Sequence, residues 1–273
     1  MGKITFKLYF ATALLILWPA FADAQSLKDL ESHLAKSFDK MAEYFRLSRE
    51  ERTEPGKTAA YMDSLSGASE QLRSYLLETL PKTTGSLTEN IQAPESMWVV
   101  TSPDKKLREW AWDTKTGGSM PEIIMLLEYQ TPHGLAVTDP HDTTQEGNTP
   151  DWFDTIYTVH SKSGHTYYLP IISSQYSTKD VGSRIEAYEI VGDKLNTTVN
   201  LFRTPKKELH SIAINYDYFS NYSDALSRER FRIKLSPDAQ ILTIPVVVGD
   251  SVTAGTLKYI FDGERYVFKE TVK

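Results

Sequence analysis

The sequence predicts a mainly β protein, an antiparallel sandwich or open barrel, preceded by an N-terminal α-helical hairpin. Three observations carry this. Between Gln25 and Asn90 there is no Val or Ile, whereas residues 95–273 hold 13 of each; β-branched side chains favour pleated strands over helices. Before position 81 apolar residues recur at three- and four-residue spacings, the period of one helix face. After position 95 short apolar runs alternate with turn-forming residues and no long helical pattern intervenes, which favours hairpins over parallel βαβ units. A propeller-like meander is the lesser alternative, because the Trp112-Asp113 pair occurs without a repeat at about 40–50 residues.

Residues 1–24 read as an export signal. Lys3 and Lys7 precede an uncharged run from Leu8 to Trp18, followed by Pro19 and Ala22-Asp23-Ala24, the order that signal peptidase recognises. At about 1.5 Å per residue this run spans only about half of a ~30 Å hydrocarbon core. Cleavage is expected after Ala24, leaving a chain with no transmembrane segment in the periplasm or outside the cell. The domain reading is 1–24 signal peptide, 25–81 helical hairpin, 82–94 linker and 95–273 antiparallel β domain.

In the first helix Leu27, Leu30, Leu34, Phe38, Met41 and Phe45 form one stripe, with Ser26 placed to cap. Pro55-Gly56 ends it, and Tyr61, Leu65, Ala68, Leu72, Leu76 and Leu80 form a second stripe before Pro81. Helices 26–50 and 57–80 should pack antiparallel, and two stripes cannot fully bury each other. Their shared face must dock on something, either the rest of the chain or a protein partner. The segment 82–94, rich in Thr, Ser, Gly and Asn, reads as a linker or irregular crossing. Beyond it, strands are expected at about 97–101, 107–112, 122–130, 152–160, 165–172, 184–191, 209–217, 230–235, 240–248, 256–261 and 265–269, separated by turns such as Ser102-Pro103-Asp104, Thr116-Gly117-Gly118 and Asp262-Gly263.

The block from Ser102-Pro103-Asp104 through Trp110-Ala111-Trp112-Asp113 to Thr116-Gly117-Gly118 resembles a segment of uncharacterised exported, β-rich proteins of Bacteroidota. Tyr259-Ile260-Phe261-Asp262-Gly263, with Tyr266 and Phe268, is similar to their C-terminal hairpin. The likeness covers roughly 95–273 and implies a β-rich extracytoplasmic domain; it brings no activity and no catalytic residues.

Composition narrows function mainly by exclusion. The chain has 273 residues, 30 basic and 36 acidic groups and no Cys. Lack of Cys removes disulfide scaffolds, thiolate metal sites and cysteine nucleophiles. Without residues 1–24 the balance is 28 basic to 35 acidic, a net charge of −7, which argues against general nucleic-acid binding. No G-x-S-x-G elbow, phosphate-binding loop or dinucleotide turn is present.

Three groups of residues are candidates for chemistry, and each has a structural alternative. The segment His133–Asp154 gathers His133, Asp139, His141, Asp142, Glu146, Asp151 and Asp154; His133, Asp139, His141 and Asp142 would be the ligands of a divalent cation, the sole cofactor candidate, or else turn residues of a solvated loop. On 228–235, Arg228, Arg230, Arg232 and Lys234 alternate with Phe231, Ile233 and Leu235, so period two sets four cations on one strand face as an anion-binding stripe, or as a wet, charge-guarded sheet face. Trp98, Trp110, Trp112 and Trp152, with Tyr129, Tyr157, Tyr167 and Tyr168, would make a stacking platform for sugar rings or fill the core; Trp110 and Trp112 share one strand face by parity. The ligand-binding candidates are thus Trp110, Trp112, Trp152, Arg228, Arg230, Arg232 and Lys234. The expected role is an extracytoplasmic binding protein for a glycan, envelope component or protein. A carboxylate- or metal-dependent hydrolase and a structural, partner-docking protein are the rivals.

Overall fold

A computed structural model describes residues 9–140, 150–219 and 231–272, with side chains from Leu27 onward. His141, Asp142, Arg228 and Arg230 lie outside the described residues, as do the side chains of the expected cleavage site. The fold is mainly β, 44% strand to 23% helical, with two N-terminal helices followed by antiparallel sheets, one of them curled into a half-barrel.

Helices α1 (Tyr9–Glu50) and α2 (Pro55–Thr79) form the hairpin, with Pro55 at the start of α2, where its missing N–H costs nothing. A first sheet follows, β1 (Met97–Thr101), β2 (Leu107–Asp113), β3 (Ile123–Thr131) and β4 (Gly134–Thr138), in that spatial order. β5 (Asp151–His160), β6 (Thr166–Gln175), β7 (Asp180–Glu186), β8 (Tyr188–Val191) and β9 (Lys194–Asn196) build most of the second sheet; β10 (Phe202–Arg203) and β11 (Glu208–Leu209) cross to a third. β12 (Ser211–Asp217) returns beside β7, and β13 (Lys234–Leu235), β14 (Ile241–Val248), β15 (Ser251–Phe261) and β16 (Tyr266–Val272) complete the third sheet. Among the described residues the pairing is antiparallel except between β10 and β16, which run parallel. That departure follows from the two-residue β10 docking on the sheet edge from a long connection instead of a hairpin.

Side-chain parity stacks these elements in layers. Even-numbered Trp110 and Trp112 of β2 sit opposite Leu126 and Ile124 of β3 and face the helical stripes of Leu30, Leu34, Leu65, Leu72, Leu76 and Leu80. Odd-numbered Leu107, Ala111, Met125 and Leu127 point the other way, onto Phe153, Ile156, Tyr168 and Tyr188 of the second sheet. A third core, including Leu169, Ile185, Leu242 and Tyr259, joins the second sheet to the third. The hairpin therefore docks its stripes on the chain's own first sheet. Each side chain fully buried there is worth about 1.5–3 kcal/mol relative to exposure.

Several expectations change. The stretch 82–94 is bonded into the first sheet: buried Arg108 donates from its Nη atoms to the Ser86 and Glu89 carbonyls and from Nε to Thr101 Oγ1 (2.7 Å). Glu128 accepts from Ser86 Oγ and from Trp110 Nε1 (2.9 Å). Polar residues read as a linker are here the donors and acceptors of an ordered crossing. His133–Asp154 is not one loop, since β4 and the start of β5 lie within it; the Gly-Leu-Ala-Val run of β4 pairs as an edge strand of β3. Of the expected strand 228–235, only Lys234 and Leu235 pair among the described residues. The period-two pattern survives, with Phe231, Ile233 and Leu235 buried and Arg232 and Lys234 exposed.

Candidate functional site

Trp110 and Trp112 are each 0% exposed. They lie on the face of β2 that the helices cover, so the platform expected from them has no surface to offer a ligand. Tyr129, Tyr167 and Tyr168 are likewise buried. The other two tryptophans behave differently. Trp98 on β1 and Trp152 on β5 are half-buried at the margin where the first sheet meets the second, and their rings stack with centroids 5.7 Å apart and planes inclined by 16°.

This pair lines a cleft of about 670 Å³, together with Phe45 and Arg49 from the end of α1, Asp113 at the end of β2, Lys115 just after it, and Gln175 at the end of β6. Its volume falls within the roughly 300–1,000 Å³ of small-ligand sites. Part of the wall is the turn 114–121, which contributes Lys115, Gly117, Gly118 and Pro121 and is held by a dense local network. Asp113 Oδ1 accepts the Lys115 N–H (2.8 Å) and Oδ2 pairs with Lys115 Nζ (2.8 Å). Glu122 takes the Thr116 hydroxyl, and Thr114 and Thr116 Oγ1 atoms lie 2.5 Å apart. Gln175 Nε2 donates to the Ser119 carbonyl (3.2 Å), tying the turn to β6. Gly117 is required by close approach: a Cβ there would collide with the Met120 carbonyl oxygen and come within 2.9 Å of the Glu122 nitrogen. Backbone atoms cannot yield as a side chain does, so the wall is preorganised.

The cleft offers aromatic surface bordered by hydrogen-bonding groups. Indole faces carry negative quadrupole density and attract the polarised C–H edges of a sugar ring, while amide, ammonium and carboxylate groups at the rim suit its hydroxyls. Among the described residues Asp113 is the only carboxylate lining it, and it is already bound to Lys115, whereas glycoside hydrolysis uses two facing carboxylates.

The remaining predicted residues lie elsewhere. His133 Nδ1 contacts Asp193 Oδ1 (2.8 Å), linking the β3–β4 turn to the β8–β9 turn. The hydrogen bond to Asp193 raises the His133 pKa, and the same bond lowers that of Asp193. Asp139 pairs with Arg73 Nε (2.6 Å). The two described members of the expected metal set are thus engaged with separate partners, and among the described residues no group of three or more metal-ligating side chains converges. Arg232 and Lys234 do not line the cleft. A second concavity of about 430 Å³ lies near Lys106, His165, Tyr168 and Glu189. There His165 Nδ1 sits 2.5 Å from Glu189 Oε1 and the Tyr168 hydroxyl donates to Asp104 (2.9 Å); burial raises the Tyr168 pKa.

Arg49, Asp113, Gln175 and Gly117 were not legible as site residues. Only the Asp113-to-Gly118 turn chemistry, directly after the second β2 tryptophan, hinted at an ordered wall. No protein-family model, curated protein or solved structure matches this chain.

Proposed function

We propose that this protein is an extracytoplasmic binding protein whose ligand is a glycan held against Trp98 and Trp152. The observation that carries the reading is the half-buried, stacked indole pair in a cleft with a preorganised polar wall. Burying two large aromatics only partly forgoes hydrophobic stabilisation, and a saccharide that covers the exposed remainder recovers it. That the one carboxylate lining the cleft among the described residues is already paired favours retention of the ligand over its cleavage. The basic, apolar, A-x-A order of residues 1–24 supports export by cleavage after Ala24, which would put the cleft where polysaccharides are met. Among the described residues no helix is long and apolar enough to cross a membrane.

The test is a binding screen of the mature chain against immobilised neutral and acidic oligosaccharides, with Trp152→Ala and Trp98→Ala alongside. Selective retention that falls at least about tenfold in both variants, or roughly 1.4 kcal/mol, supports the reading. Retention of no saccharide, or retention untouched by either substitution, overturns it.

A further inference from the structure

We infer that the saccharide bound in this cleft is acidic, a uronic-acid-containing glycan whose carboxylate is read by Arg49. The inference rests on the glycan reading above and assigns its ligand class. Among the described residues three charged groups line the cleft, and two of them neutralise each other, since Lys115 Nζ sits 2.8 Å from Asp113 Oδ2. Arg49 is the third. It is exposed, in the last turn of α1, and among the described residues its side chain makes no ion pair or hydrogen bond. The neighbouring Arg46 shows what an arginine on this helix does when an acid is in reach: it binds both Glu43 (2.7 Å) and Glu50 (2.6 Å). Arg49, one turn further on, makes no such pair and lines the cleft.

The cleft therefore presents one uncompensated positive charge beside aromatic surface in a chain that is net negative overall. A guanidinium is planar and offers parallel donors that match a carboxylate in bidentate fashion. One positive charge balances a carboxylate, whereas a phosphate dianion would leave excess negative charge next to Asp113. The C-terminal end of α1 also favours a cation by its dipole; that is a structural reason for Arg49, and it predicts no ligand preference.

The experiment separates these. Oligomers of galacturonic, glucuronic and mannuronic acid, each paired with its carboxyl-reduced neutral counterpart, are titrated calorimetrically into wild type, Arg49→Gln, Arg49→Lys and Trp152→Ala. The expected result is that at least one acidic oligomer binds wild type about 10- to 100-fold tighter than its reduced form, the range of a charge-assisted hydrogen bond. Arg49→Gln should equalise the pair, Arg49→Lys should keep a reduced preference, and added salt should weaken only the acidic member. Equal binding of both members by wild type, or a preference that survives in Arg49→Gln, overturns the inference and leaves the glycan reading standing. Binding of no member of either series overturns the inference, and it removes the glycan reading as well only when the wider screen of neutral and acidic oligosaccharides also retains nothing.

Discussion

Replacing Glu109 by Gln should make the protein more stable at neutral and alkaline pH. Glu109 lies on the β2 face that meets the second sheet and is 0% exposed. Its Oε1 accepts the Phe153 N–H (2.8 Å), while Oε2 has no hydrogen-bond partner. Burial pushes its pKa well above the usual carboxyl range, and the nearby Asp154 and Asp151 push the same way, against the pull of the Phe153 bond. An acid whose folded pKa exceeds its unfolded value favours folding most when both states are protonated. As pH rises above about 4.5 the unfolded chain releases this proton and the folded chain keeps it, so stability falls until the folded pKa is passed. Within that window the loss is about 1.4 kcal/mol per pH unit. Gln retains the acceptor for Phe153 and cannot ionise. In urea unfolding between about pH 5 and pH 8, Glu109→Gln should stay within about 1 kcal/mol of wild type at the acid end. It should gain on wild type as pH rises, by up to about 1.4 kcal/mol per pH unit until the folded pKa is passed. A constant difference across the range, or a variant that loses stability as pH rises in parallel with wild type, would refute the assignment of this buried acid as protonated.

Three further outcomes follow from the same layers. Trp110→Ala should destabilise by about 3–5 kcal/mol, because it opens a cavity between helices and first sheet and removes one of the donors to Glu128; urea unfolding measures this, and saccharide affinity of the folded variant should not change. Gly117→Ala should weaken saccharide binding at least about tenfold with little change in circular dichroism, since the added methyl displaces the cleft wall and not the core; unchanged affinity would show the wall is irrelevant. Proton NMR titration of Asp193→Asn should find the His133 pKa lowered toward 6.5 from its raised wild-type value. The stabilising contribution of that tie is present below the unfolded pKa of His133 and is lost as pH rises through the folded one.

The boundary near residue 95 and most strand positions were legible because they are local: residue shape and period decide helix against strand within a few neighbours. The short β9 and β10 were not, because two or three residues carry no period, and β10 owes its parallel pairing to Tyr266 and Val267, some 60 residues further on. The parity of Trp110 and Trp112 was readable, yet which layer covers their face was not. That depended on the helical stripes choosing the first sheet as their partner. Trp98 and Trp152 looked no different from them in sequence. What distinguishes the pair is position at the rim of two packed sheets, a property of tertiary arrangement alone. Arg49 was invisible for a related reason: a cation at a helix end is ordinary until the residues opposite it are known.

The central claim is that Trp98 and Trp152 meet the ligand while Trp110 and Trp112 do not. Indole N–H resonances of the ¹⁵N-labelled protein, followed during titration with the tightest-binding oligosaccharide of the screen, test it most directly. The account predicts large, saturable shifts for Trp98 and Trp152 and stationary signals for Trp110 and Trp112. Stationary signals for the first pair as the ligand saturates would contradict it.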